Sequence, residues 1–212
     1  RGGNFFMMRL LNRFRGQLGV DASTAGLTES SRRTAEHLRT SSARLSFEKL
    51  TLDGGRLRAD VAVENLAGHK LPTAYPSRRA WLHLVVRDRH GSVVFESGAL
   101  APDGSIDGND NDADPDRFEP HHERIDSQDQ VQIYEAIMVD PEDRVTTGLL
   151  AAIRFVKDNR VLPRGFEKTT AIDDIAVQGA ASGDDDFAAS RDTVRYEVNA
   201  AAMKPGTYRA IR

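Results

Sequence analysis

The chain has 212 residues, no cysteine and a formal net charge of -3, with 29 Lys and Arg set against 32 Asp and Glu. The signs are interspersed, so there is no basic stripe for nucleic acid, and no run approaches the ~18 apolar residues of a membrane span. Without cysteine there are no disulfides and no thiolate metal ligands. The length suits one large β domain, or a small helical piece plus a sandwich, since domains commonly run ~100 to 200 residues. The chain opens on Arg1, and the strand-like Gly206–Arg212 stops abruptly. Both ends therefore read as cut from something larger.

Helices are predicted first and strands afterwards. Phe5, Phe6, Met8, Leu10, Leu11, Phe14 and Leu18 recur at helical spacing over residues 4–18, closed by Gly19. A second helix is predicted from the cap Thr28, with Glu29 in its first turn, through Arg32, Ala35 and Leu38 to about Ser42. From Leu45 onward the apolar period shortens to two. Strands are predicted over 44–52, 55–64, 80–88, 92–97, 130–139, 147–157, 172–178, 192–199 and 206–211. Turn-rich joints such as Asp53-Gly54-Gly55 and Arg89-His90-Gly91 separate them. The expected fold is mainly β: an antiparallel immunoglobulin-like sandwich over 43–212, preceded by two α-helices over 1–42.

Two connections carry candidate chemistry. The first is Asn65-Leu-Ala-Gly68-His69-Lys70-Leu71-Pro72-Thr73-Ala-Tyr75-Pro76-Ser77-Arg78-Arg79-Ala-Trp81, which places a histidine, two prolines, paired arginines and the single tryptophan between two strands. Gly68 permits close backbone approach, and Pro72 and Pro76 stiffen the loop that carries His69. The second runs from Ala99 to Asp129. Its Asp110, Asp112, Asp114 and Asp116 alternate as calcium ligands could, followed by Glu119-Pro-His121-His122-Glu123. The EF-hand pattern fails there, because Arg117 stands where the sixth-position glycine belongs. The other reading is a solvated acidic loop making local turns. Asp184-Asp185-Asp186 reads as a turn. No nucleophile elbow, zinc helix motif, phosphate loop or dinucleotide fingerprint is present, so no active site is assigned.

The run GHKLPTAYPSRRAWLHLVVRD, with VVFESG (93–98), EPHHE (119–123), VQIYE (131–135), TTGLLAAIRFVKDNRVLP (146–163) and GF (165–166), resembles the C-terminal region of a group of bacterial multihaem cytochromes c. The resemblance covers most of residues 1–198. It implies a β-rich accessory domain outside the cytoplasm, in the periplasm or beyond, that packs on a haem-bearing N-terminal part of the same polypeptide and meets a redox partner protein. Haem c would be attached elsewhere, because thioether attachment needs cysteine. Within this implication His69 is the leading candidate for a second axial ligand, with His121 behind it, and Arg78 and Arg79 are candidates for haem propionates. His122 adjoins His121 and would point the other way on an extended chain. The alternative function is a binding or adhesion module with a calcium-stabilised acidic loop.

Overall fold

A computed structural model of the chain describes residues 4–73 and 76–200. The chain divides into two compact units at Arg44/Leu45, close to the expected change from helix to strand. Tyr75 and the strand predicted over 206–211 lie outside the described residues.

The first unit holds α1 (Phe5–Arg13) and α2 (Thr24–Ser41). Asn4 caps α1 by accepting from the Met7 N–H at 3.0 Å, and Gly19, at φ 60°, stands in the turn beyond it. α2 starts earlier than predicted. Ser23, not Thr28, is its cap, accepting from the Gly26 N–H at 3.0 Å, and Thr28 instead takes the Asn12 amide at 3.2 Å. Arg9 donates to Ser31 Oγ at 3.1 Å, so polar bonds join the two helices, and Arg15 ties their connection by reaching the Ala22 carbonyl at 2.8 Å. Phe6, Met7, Phe14 and Leu18 remain exposed.

The second unit is β-rich. In chain order it contains β1 (Ala43–Asp53), β2 (Arg56–Asn65), β3 (Ala80–Trp81), β4 (Leu84–Arg87), β5 (Val93–Ser97), the single helical turn α3 (Asp110–Ala113), β6 (Arg124–Ile125), β7 (Ile133–Tyr134), β8 (Ala136–Val139), β9 (Val145–Thr146), β10 (Arg154–Asp158) and β11 (Arg191–Asn199). The largest sheet has the order β1-β2-β11-β6, and smaller ones pair β10-β8-β9, β3-β7 and β4-β5. β2 and β11 are antiparallel along their length, from Arg191 opposite Glu64 to Asn199 opposite Arg56. Period-two burial makes this pair the centre of the core: Leu57, Ala59, Val61 and Val63 of β2 and Val194, Tyr196 and Val198 of β11 are buried. Leu82, Phe95, Ile125, Tyr134, Leu162 and Phe187 belong to the same cluster. Gly98 lets two segments touch, since a Cβ there would lie 2.5 Å from the Leu82 carbonyl, while the Trp81 indole N–H donates to the Gly98 carbonyl at 3.0 Å.

Several expectations are corrected. β6 runs parallel to β11, so pairing is not antiparallel throughout. The long strands predicted over 80–88, 130–139 and 147–157 are interrupted, and residues 147–153 form a turn that exposes Leu149, Leu150 and Ile153. The segment 172–178 is not a strand. Asp173–Ile175 is a 3-10 turn with Ile172 and Ile175 exposed, and Gln178 alone bridges to Asp158.

Candidate functional site

His69 sits where the sequence places it, on an exposed loop after β2. The loop is fastened from both sides. Buried Asn65, the last residue of β2, donates its amide to the carbonyls of His69, Val161 and Leu162 at 2.8, 2.9 and 3.2 Å, and its Oδ1 accepts from the Ala67 N–H at 2.8 Å. On the far side Lys70 Nζ donates to the carboxylate of wholly buried Asp158 at 2.7 Å and to the Ile175 carbonyl at 2.8 Å. Arg160 grips both oxygens of the same carboxylate at 2.8 Å. Burial pulls the Lys70 ammonium below its ordinary range, and the Asp158 charge opposes that shift. Leu71 closes the loop by exchanging two backbone hydrogen bonds with Val161, at 2.9 and 2.8 Å.

This anchoring sets the chemistry of the ring. His69 Nδ1 lies 3.1 Å from the Lys70 carbonyl. A carbonyl can only accept, so that hydrogen bond puts the proton on Nδ1 and leaves the Nε2 lone pair for a ligand. Backbone-carbonyl orientation of the far nitrogen is the arrangement metal-bound histidines use. His69 thus offers one unprotonated ring nitrogen, Nε2, on an exposed loop. Arg78 is exposed and donates to the Thr73 carbonyl at 3.3 Å. Arg79 is committed within the unit, to Asp112 at 2.6 Å and the Gly104 carbonyl at 3.2 Å.

His121 is corrected as an external ligand. Its side chain is 1% exposed, packs edge-on against Phe187 and is bonded through both nitrogens. Gln132 Oε1 accepts from the His122 N–H at 2.8 Å, and Asn159 Oδ1 from the Glu135 N–H at 2.9 Å. Both amides thus turn their nitrogens to His121 Nδ1, at 2.7 and 3.1 Å. Nδ1 must accept, so the ring proton resides on Nε2 and is donated to Asp184 Oδ2 at 2.9 Å. The tautomer is the opposite of that at His69. Burial keeps the imidazole neutral by lowering its pKa, against the pull of Asp184. His122 faces the other way and bonds Glu119 at 2.7 Å.

Around His121 lies a buried polar core that the sequence reading missed. Asp192 accepts from the Tyr134 hydroxyl at 2.6 Å and the Gln132 amide at 3.3 Å through Oδ2, while its buried Oδ1 has no hydrogen-bond partner. Burial pushes the Asp192 carboxyl up to about 7, and the Asp184 and Asp186 charges push in the same direction. Asp186 is raised as well, by burial first and by Asp184 second. Tyr134 is held far above its usual range by burial and by Asp192. Deeper still, Lys157 pairs with Glu135 at 2.8 Å and donates to the Ile133 carbonyl at 3.1 Å.

The acidic loop takes the local-turn form. Asp112 accepts from Arg79 and from the Ile106 N–H, Asp110 pairs with Arg117, and Asp114 accepts from the Asp116 N–H. Among the described residues, the group of three His or carboxylate ligand atoms within 4.8 Å of one another is His121, Asp184 and Asp192, and not the calcium quartet Asp110, Asp112, Asp114 and Asp116. No described helix is long and apolar enough to cross a membrane. Among known proteins, no family model, no curated protein and no solved structure matches the chain.

Proposed function

We propose that the chain is the accessory C-terminal β domain of an extracytoplasmic multihaem c-type cytochrome, packing on the haem-bearing part of the same polypeptide and supplying His69 as an axial ligand. The observation that carries this reading is the state of His69: exposed, fastened on both flanks by Asn65 and Lys70, and set by the Lys70 carbonyl in the tautomer that offers Nε2. The sequence resemblance to multihaem cytochromes supports it independently. When bound, haem supplies one-electron transfer. The chain's own contribution is a ligand whose ordering cost is met in advance by the fold, since the backbone on both sides of His69 is already bonded. Arg78, exposed later in the same connection, offers a guanidinium for a propionate or partner carboxylate. The exposed apolar residues of α1 give the haem-bearing part a surface to cover.

The fold reading that accompanies this is an immunoglobulin-like sandwich. What supports it is that the sheet β1-β2-β11-β6 shares one core cluster with residues of β4, β5 and β7. The adhesion alternative drew on the acidic loop, whose carboxylates are engaged by Arg79, Arg117 and backbone N–H groups.

The test is haem content. The natural full-length polypeptide, matured in a host that assembles c-type cytochromes, carries covalent haem detectable as a pyridine haemochrome and as added mass. A full-length polypeptide without covalent haem contradicts the proposal.

A further inference from the structure

We propose that Asp184, Asp186 and Asp192 form a site for a hard divalent cation of the calcium type, with His121 serving its carboxylates as a hydrogen-bond donor. Two independent observations converge. The first is a surface cleft whose walls include Asp184, Asp186, Glu123 and Asp60, giving an entry path for an ion and its waters. The second is the buried Asp192, which neighbours Asp184 without itself lining the cleft. Asp192 has a side chain 1% exposed, its Oδ1 is without a hydrogen-bond partner and lies 3.8 Å from His121 Nε2, and one of its carboxylate oxygens is within 4.8 Å of an Asp184 oxygen. A buried carboxylate oxygen left unpaired costs free energy, and a cation supplies what it lacks.

The donors around these carboxylates are uncharged. Asp184 accepts from His121 and the Asp186 N–H, Asp186 weakly from the Thr193 N–H at 3.4 Å, and Asp192 from Tyr134 and Gln132. These carboxylates are held by neutral donors and not by the hydrogen bonds of a cationic side chain. Two arginines also line the cleft, but Arg195 is held on Asp60 at 2.8 Å and Arg124 on Asp126 at 3.3 Å. The backbone turns sharply between Asp186 and the start of β11, where Ala189 and Ser190 take positive φ, 49° and 70°, and so brings Asp192 back to face Asp184.

The class of ion follows from the tautomer. Zinc and its neighbours would take His121 through Nε2, which requires a proton on Nδ1. Gln132 and Asn159 both point donors at Nδ1, and their oxygens are fixed by backbone N–H groups, so neither amide can turn. The lone pairs presented are carboxylate oxygens, the ligands of calcium.

The test is a titration of the chelator-treated chain with calcium by calorimetry, and with terbium under tyrosine excitation, Tyr134 being bonded to Asp192. The expected results are saturable calcium binding, a melting temperature that rises with calcium, and sensitised terbium emission. Asp186→Asn, at an exposed position, and Asp184→Asn weaken calcium affinity by at least about tenfold. The paired substitution Asp110→Asn and Asp114→Asn in the acidic loop leaves affinity unchanged. Absence of both heat and emission in the wild-type chain overturns the proposal. So does an affinity unaltered by Asp184→Asn and Asp186→Asn, and so does a preference for zinc that is lost in His121→Asn.

Discussion

Replacing Asn65 by Ala removes the residue that fastens the His69 loop to the core, and the structure sets the size of the effect. Four contacts are lost: three from the two amide hydrogens, one of them shared, to the carbonyls of His69, Val161 and Leu162, and one accepted from the Ala67 N–H. They do not count equally. The His69 and Ala67 groups lie in a part-buried loop and can turn to water, and the Val161 carbonyl keeps its bond from the Leu71 N–H at 2.9 Å. Leu162 is wholly buried, and its carbonyl loses the amide without access to solvent. A net hydrogen bond contributes about 1 kcal/mol and an orphaned buried carbonyl costs about 1 to 3, so Asn65→Ala destabilises by about 2 to 4 kcal/mol. In equilibrium urea unfolding the midpoint falls while the slope stays constant. Asn65→Asp keeps the shape and the Ala67 bond but points a carboxylate oxygen at three carbonyls. Its folded pKa is raised, so its stability is present below the unfolded pKa of about 4 and lost as pH rises through the folded value. At pH 8 it is at least as unstable as the alanine variant. A loss within about 0.5 kcal/mol for Asn65→Ala, the range of ordinary surface substitutions, refutes the anchoring role.

The Asp192 carboxyl, raised by burial from 3.8 to about 7, gives a pH prediction for the chelator-treated chain. An acid with a raised folded pKa contributes stability below its unfolded pKa that is lost as pH rises through the folded one, here between about 4 and 7, by at most about 4 kcal/mol. Asp192→Asn mimics the protonated form, so its stability relative to wild type increases from pH 4 to pH 8 in thermal unfolding; a pH-independent difference would count against the assignment. The Lys157–Glu135 pair, with side chains 2% and 6% exposed, predicts a contrast between single and double substitution. Glu135→Leu strands a buried ammonium and costs about 3 to 5 kcal/mol, whereas Glu135→Leu with Lys157→Met costs much less, and equal losses in denaturant unfolding would show that the pair is not coupled.

Much of the β2–β11 core was legible, because Leu57, Ala59, Val61, Val63 and Val194, Tyr196, Val198 alternate cleanly. The same alternation held an unused signal. In Asp192-Thr-Val194-Arg-Tyr196 it sets Asp192 on the core face of β11, and a carboxylate at an inward position asks for a partner. Its partners could not be read, since His121 and Asp184 come from separate loops that only the folded topology brings together. The strand expected at 172–178 failed for a different reason. Its apolar residues Ile172 and Ile175 stay exposed while Val177 alone enters the core, so period two was present without a sheet neighbour to satisfy. The acidic loop left two readings open in the sequence, because alternate carboxylates serve local backbone N–H groups and arginines as readily as a cation. His69 was legible as exposed. What fixes it was not, for the stiffness ascribed to Pro72 and Pro76 comes also from Asn65 and Lys70 reaching residues some ninety positions away.

The most direct measurement of the role proposed for His69 is on His69→Ala in the full-length polypeptide, by optical and paramagnetic resonance spectroscopy together with redox titration. If His69 supplies the axial nitrogen, one low-spin haem becomes high-spin or solvent-ligated and its potential shifts, while the number of covalently attached haems is unchanged because attachment depends on cysteines elsewhere. Spectra and potentials identical to those of the wild-type protein would contradict the account.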